Sequence, residues 1–228
     1  MNLFLDIETL GSDRDEVREY IAATIKPPGN ISKAETIAKW HAESKPAAIA
    51  EAIDKTSFDG AFGRVCCVGW ALDDGAPDAI YSANNEAGVL QTFADVLSSA
   101  IPANEVLATT VVGQNVSAFD LRFLAQRYIV HGIRPPTVIA RAAQARLWEV
   151  DKVYDTMVQW AGVGNRVSLD KLCLALGISS PKDGMDGSQV AEYVAAGRIE
   201  EVAEYCKGDV AAVREVWRRM TFAHREAA

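Results

Sequence analysis

The sequence is poor in the residues that most often hold transition metals or cross-link small domains. Its 228 residues include four cysteines and three histidines, and no two cysteines form a Cys-x-x-Cys pair. That spacing is the usual mark of structural zinc and dithiol redox chemistry, so neither is expected. Cys66 and Cys67 are adjacent in a strand-like run and should point to opposite faces, while Cys173 and Cys206 stand apart; all four read as buried free thiols. No apolar run approaches the ~18 residues of a membrane span. The opening MNLFLDIE carries acids where a signal peptide needs an apolar stretch. A cytoplasmic protein with no membrane partner is the expectation. Positive charge is scarce too: 23 Lys and Arg face 31 Asp and Glu, a formal net charge of −8. That argues against a protein that coats long nucleic acid, which presents a basic face. It leaves open an enzyme that grips a few nucleotides at one chain end.

What is present is an ordinary globular composition, 49% hydrophobic and 24% charged. A chain of this length can bury an apolar core without disulfides or zinc. Leu3 to Ile7 is short and apolar and stops at Gly11-Ser12, which suits a buried strand. Residues 13–60 interrupt the strand pattern and read as an insertion, with a Pro27-Pro28-Gly29-Asn30 turn and a helix from about Ala34 toward Ala52, breakable near Pro46. Arg64 to Leu72 and Ala79 to Ser82 form a hairpin across the turn at Asp73 to Pro77. Val106 to Gly113 reads as a β-branched strand and Phe119 to Val130 as a helix; the segment from Pro135 to Tyr154 is ambiguous. Ser168 caps a helix that stops at Gly177, and helices over Ser188 to Ala195 and Ile199 to Arg219 follow. Strands first, then alternation, then a helical tail predicts an α/β domain: a mixed sheet flanked by helices, one domain over 1–228 with the insertion after its first strand.

Three acidic motifs punctuate this pattern. Asp6 and Glu8 lie two apart in an apolar strand, so both carboxylates leave on one face. Such a pair repels itself and loses hydration, which a divalent cation offsets; a strand fraying into water at Ile7 is the plainer alternative. Asp120 opens a helix after a polar turn, where the helix dipole alone would justify an acid. Tyr205 and Asp209 are four apart on a helix and share a face, which a tertiary hydrogen bond would also explain. The poor helix former Gly208 beside them hints at a close backbone approach or a kink. Asp155, Asp183 and Asp186 read as structural or solvated acids. From Leu121 to Lys152 six basic residues (Arg122, Arg127, Arg134, Arg141, Arg146 and Lys152) face only Glu149 and Asp151. This stretch reads as an arginine-rich solvated face or a substrate approach surface, in which Trp148 packs or stacks on a base.

Taken in order, LFLDIETLG, GQNVSAFDLRFL and EYCKGDV resemble the three motifs of the DEDD superfamily of RNase H-like 3′–5′ exonucleases. The Tyr205 spacing is that of its tyrosine branch, and the likeness extends to the exonuclease domain of family-B DNA polymerases. FGRVCCVGWA, SLDKLCLALGI and the following KDGMDGSQV also look similar. The resemblance implies an RNase H-like fold, two Mg²⁺ or Mn²⁺ ions, and 5′-monophosphates released from a 3′ end; DNA is the expected substrate ahead of RNA, with no element identifiable that reads a 2′-hydroxyl. It implies that Asp6 bridges both metals, that Glu8 and Asp209 complete the site that activates water, and that Asp120 completes the other. Tyr205 would orient the water. Thr9 and Leu10 would meet the terminal nucleotide, and Asn115 and Phe119 the penultimate one, although Phe119 also suits the core. The partner would be a single strand or a 3′ end, with a separate polymerase or repair protein as a further candidate. Two alternatives are a non-catalytic RNase H-like binding module and a proofreading subunit that depends on a polymerase. A phosphatase with an aspartate nucleophile would leave the second and third motifs unexplained.

Overall fold

A computed structural model describes residues 1–179 and 185–223. Its five strands are β1 (Asn2–Leu10), β2 (Arg64–Leu72), β3 (Asp78–Tyr81), β4 (Thr110–Gly113) and β5 (Val153–Asp155). They form one mixed sheet in the order β3-β2-β1-β4-β5, with β1 parallel to β4, β4 parallel to β5, and β2 antiparallel to β3. The helices are α1 (Asp15–Thr24), α2 (Ala34–Glu43), α3 (Lys45–Asp54), α4 (Glu86–Ala100), α5 (Asp120–Val130), α6 (Thr137–Ala143), α7 (Thr156–Ala161), α8 (Leu169–Leu176), α9 (Val190–Ala195) and α10 (Ile199–Met220). The expected α/β layering holds.

The chain divides into two compact units, Met1–Glu8 with Val65–Ala228, and Thr9–Arg64. In the first, strand alternation sorts residues onto two faces. Leu3, Leu5 and Ile7 of β1 join Val89, Leu90 and Phe93 of α4 and Leu121, Phe123 and Leu124 of α5 in the main core. Phe4, between them in sequence, points the other way, with Ala71, Val112 and the α10 residues Val210 and Val213. Asp6 and Glu8 continue Phe4's period of two, so the acids of β1 emerge on the α10 side. On α10 itself, buried Val202, Ala203, Cys206, Val210, Val213 and Val216 make a stripe of helical spacing. Its first turn is acidic and its last basic, in accord with the helix dipole.

The second unit has its own small core of Val17, Ile21 and Ile53, against which Ile25, Ile49 and Phe62 pack. The helix expected over Ala34 to Ala52, breakable near Pro46, is two: the chain breaks at Ser44, with Pro46 in the first turn of α3, where a missing N–H is harmless. The sequence reading also passed over α1, whose first turn carries Asp15 and Glu16.

Elsewhere two boundaries move. The strand expected from Val106 begins only at Thr110, because reverse turns closed on the carbonyls of Pro102 and Glu105 occupy the preceding residues. The ambiguous segment resolves into α6 and β5. Ser168 accepts from the Lys171 N–H, and Gly177 ends α8 at φ +67°, both as the sequence suggests. Asp183 lies outside the described residues; Asp186 caps the turn before α9.

Candidate active site

β1 delivers Asp6 and Glu8, the N-terminus of α5 delivers Asp120, and the middle of α10 delivers Tyr205 and Asp209. Glu8 is 8% exposed and Asp120 is 3% exposed. Asp120 Oδ1 accepts the Ile7 N–H at 3.1 Å, which fixes the start of α5 beside the strand between the two β1 acids. The close turn that allows this begins at Gly113: a Cβ there would lie 2.6 Å from Val116 Cβ and 2.9 Å from the Leu5 carbonyl.

The acids act strongly on one another. Burial, then the charges of Glu8, Asp120 and Asp209, push the Asp6 carboxyl well above its ordinary pKa, against a hydrogen bond from Cys206. Burial and the charge of Asp209 raise Glu8 similarly, with smaller contributions from Cys67 and Asp120. Asp120 is pushed up to about 7, chiefly by burial; Asp155 and Asp209 add to this, while hydrogen bonds from its own N–H and that of Ile7 oppose it. The Tyr205 hydroxyl is also held protonated, first by burial and then by the negative charge of Asp209, Glu8 and Asp6. The five residues singled out by motif therefore share one electrostatic environment.

The secondary candidates separate. Asn115 adopts φ +59°, and its N–H donates to Asp155 Oδ1 at 3.0 Å. Phe119 packs on the main core, with its ring 5.6 Å from that of Phe123. Thr9 and Leu10 fall in the second unit, where the Thr9 hydroxyl donates to the Ser57 carbonyl at 2.6 Å and Leu10 is buried. Asp155 is structural: its carboxylate accepts the N–H groups of Asn115, Ser117, Met157 and Val158, tying the turn before Asp120 to the start of α7.

The arginine-rich stretch is not one solvated face. Arg127 is buried, with its guanidinium 2.7 Å from the Glu86 carboxylate, and Arg141 donates to the Thr109 carbonyl at 2.7 Å. Both partners come from distant parts of the sequence, which a local charge sum cannot register. Trp148, expected to pack, is 73% exposed, with the Arg146 guanidinium 5.4 Å from its ring centroid.

The residue missed outright is Cys206. Its thiol donates to Asp6 Oδ2 at 3.3 Å, and its sulfur, with carboxylate oxygens of Asp6 and Glu8, forms a set of potential ligand atoms within 4.8 Å of one another. Its place beside Tyr205 on the buried stripe was the available signal. The close approach to α10 is made by Gly69 of β2, where a Cβ would lie 2.7 Å from Cys206 Sγ and 3.1 Å from its carbonyl oxygen.

Among known proteins, the fold is similar to a solved family B DNA polymerase from the hyperthermophilic archaeon Pyrobaculum calidifontis, with a TM-score of 0.58 at 17% identity over 97% of this chain. This chain spans 24% of that polymerase. No curated protein matches. Residues 79–226 match a family described as a predicted 3′–5′ exonuclease related to the exonuclease domain of PolB. The match takes in Asp120, Tyr205 and Asp209, whereas Asp6 and Glu8 precede it. Covering about two thirds of the sequence, it establishes that the chain belongs to this family of predicted PolB-related 3′–5′ exonucleases.

Proposed function

We propose that the chain is a metal-dependent 3′–5′ exonuclease of the tyrosine branch of the DEDD superfamily. In this reading it removes nucleotides from the 3′ end of a single strand, DNA in preference to RNA, and releases nucleoside 5′-monophosphates in the cytoplasm. Residues 1–228 work as one exonuclease domain, with 13–60 as an insertion. The supporting observation is the electrostatics of the acids: those acting on Asp6 and Glu8 are other acids and thiols, and burial raises both. Such a cluster suits a hard cation, which prefers carboxylate oxygen to the imidazole and thiolate sets of zinc sites.

Asp6, Glu8, Asp120 and Asp209 would hold two Mg²⁺ or Mn²⁺ ions, whose charge would neutralise the entering and leaving oxygens of an in-line displacement at phosphorus. Tyr205 keeps its proton, so it orients the attacking water as a hydrogen-bond partner and does not act as the base. Asp155 holds the turn that presents Asp120 and Asn115. Thr9 and Leu10 contact the terminal nucleotide, and Asn115 and the edge of Phe119 the next one. The net charge of −8 favours a second reading of how substrate arrives, in which a polymerase or repair partner delivers the 3′ end.

The test is a set of 5′-labelled single-stranded DNA, duplex DNA and RNA with Mg²⁺ or Mn²⁺. The expected result is a ladder shortening from the 3′ end of single-stranded DNA with release of monophosphates. A preparation that binds metal yet cleaves none of the substrates overturns the reading.

A further inference from the structure

Cys206 is fully buried, and its neighbours are specific. Its thiol donates to Asp6 Oδ2 at 3.3 Å and also lies 3.6 Å from the Asp6 carbonyl oxygen. Gly69, on β2, makes the space: any side chain there would drive into the sulfur and the Cys206 backbone. An ordinary core thiol needs only apolar neighbours. This one is aimed at the carboxylate through which the strand would meet a metal.

We infer that Cys206 is a positioning residue for Asp6, its thiol holding the Asp6 carboxylate in one orientation beside Glu8 so that the pair is preorganised for a divalent cation. The inference rests on the exonuclease reading for its role in turnover, but its effect on metal binding stands separately. A carboxylate on a strand has free rotation about two side-chain bonds, and repulsion from Glu8, Asp120 and Asp209 favours rotamers that turn it away. A single donor on the opposite side of the carboxylate counters that drift. Gly69 of β2 makes the room in which α10 brings this donor to Asp6.

The experiment titrates Mn²⁺ alone into wild type, Cys206→Ala and Cys206→Ser by calorimetry, with melting curves for each, and then measures kcat and KM on a single-stranded oligonucleotide. Loss of a group that orients a metal ligand weakens affinity by about 10–100-fold. That loss is expected in Cys206→Ala, together with a matching rise in the Mn²⁺ needed for half activity and an unchanged KM for the oligonucleotide. Cys206→Ser, which restores a donor, should recover most of the affinity. If Cys206→Ala does not fold, Cys206→Val fills the space without the donor and takes its place. Wild-type Mn²⁺ affinity in the folded donor-free variant, with only the melting temperature lowered, overturns the inference, as does a serine variant no better than alanine. If wild type binds Mn²⁺ but cleaves nothing while the donor-free variant binds weakly, the exonuclease reading falls and the positioning role stands.

Discussion

Two groups of carboxylates in the larger unit differ in company more than in depth. Glu86, the first residue of α4, accepts the Val65 N–H at 2.7 Å, the Arg127 Nε–H at 2.8 Å and an Arg127 Nη2–H at 2.7 Å, and stands 2.6 Å from His131 Nε2. Burial pushes its pKa up, but these hydrogen bonds and the Arg127 charge outweigh it and hold the group below the usual carboxylate range. Glu8 and Asp120, as buried as Glu86, and the half-buried Asp6 have other acids around them, and their pKa values rise. Arg127 offsets the charge of Glu86 inside the fold, whereas the charges acting on Asp6, Glu8 and Asp120 are those of other acids and thiols, an arrangement that suits a cation.

The largest effect that tests this contrast is at Asp6. Asp6→Asn is expected to lower kcat beyond the 10–100-fold typical of a lost outer partner, while the metal-free protein melts at or above the wild-type temperature, because repulsion has been relieved. An Asp6→Asn protein that cleaves at the wild-type rate would remove Asp6 from the chemistry. Next is Tyr205→Phe. Loss of one catalytic proton-handling group lowers rate by about 10²–10⁴-fold, here with metal affinity unchanged, whereas Asp209→Asn should be partly rescued by added Mn²⁺. Metal rescue of Tyr205→Phe would mean that the hydroxyl serves the ion and not the water. Smaller again is the effect of Glu86→Ala, which takes the carboxylate away from the buried Arg127 guanidinium. Breaking a buried pair on one side costs about 3–5 kcal/mol, read as a drop in the denaturation midpoint, with kcat preserved at temperatures where the variant is folded. A loss of activity without loss of stability would reverse the roles assigned to the two clusters.

The sequence carried one half of this contrast far better than the other. Period-two alternation in LFLDIE puts Asp6 and Glu8 on Phe4's face, and the four-residue step from Tyr205 to Asp209 puts both on one side of α10. These are local rules, and the structure follows them. Helix limits at Ser168 and Gly177 were legible for the same reason. Arg127 looked like part of a basic surface because its partner Glu86 stands 41 residues away, and Arg141 because it reaches the Thr109 carbonyl. Cys206 looked like any core thiol, since its contact with Asp6 spans 200 residues. Trp148 was read as packing within the arginine-rich stretch or stacking on a base, and it is exposed. What depends on tertiary partners is invisible to spacing. The acidic motifs are an exception because their residue types share one chemical need.

The last predicted effect, small per pH unit, is on the pH dependence of stability, and it compares the clusters within a single molecule. A raised carboxylate binds its proton more tightly when folded, so the folded state holds more protons than the unfolded state between the ordinary pKa and the raised one. Stability therefore falls as pH rises through that interval, which for Asp120 runs from 3.8 to about 7. Glu86 has the opposite sign. Its lowered pKa stabilises the fold above the ordinary carboxylate value, and that contribution is lost only as pH falls through the lowered one. The metal-free protein should thus be most stable in mildly acid solution, losing stability toward neutrality through the site acids and toward strong acid through Glu86. One proton of difference is about 1.4 kcal/mol per pH unit, or about 3–5 °C in melting temperature for a chain of this size. Mg²⁺ or Mn²⁺ should cancel the neutral-side decline, because the cation competes with the protons for the same carboxylates. It should leave the acid-side decline untouched. Melting curves from pH 2 to 8 with and without metal measure both limbs. A neutral-side decline that survives saturating metal would mean that the raised carboxylates are not the ones that bind it.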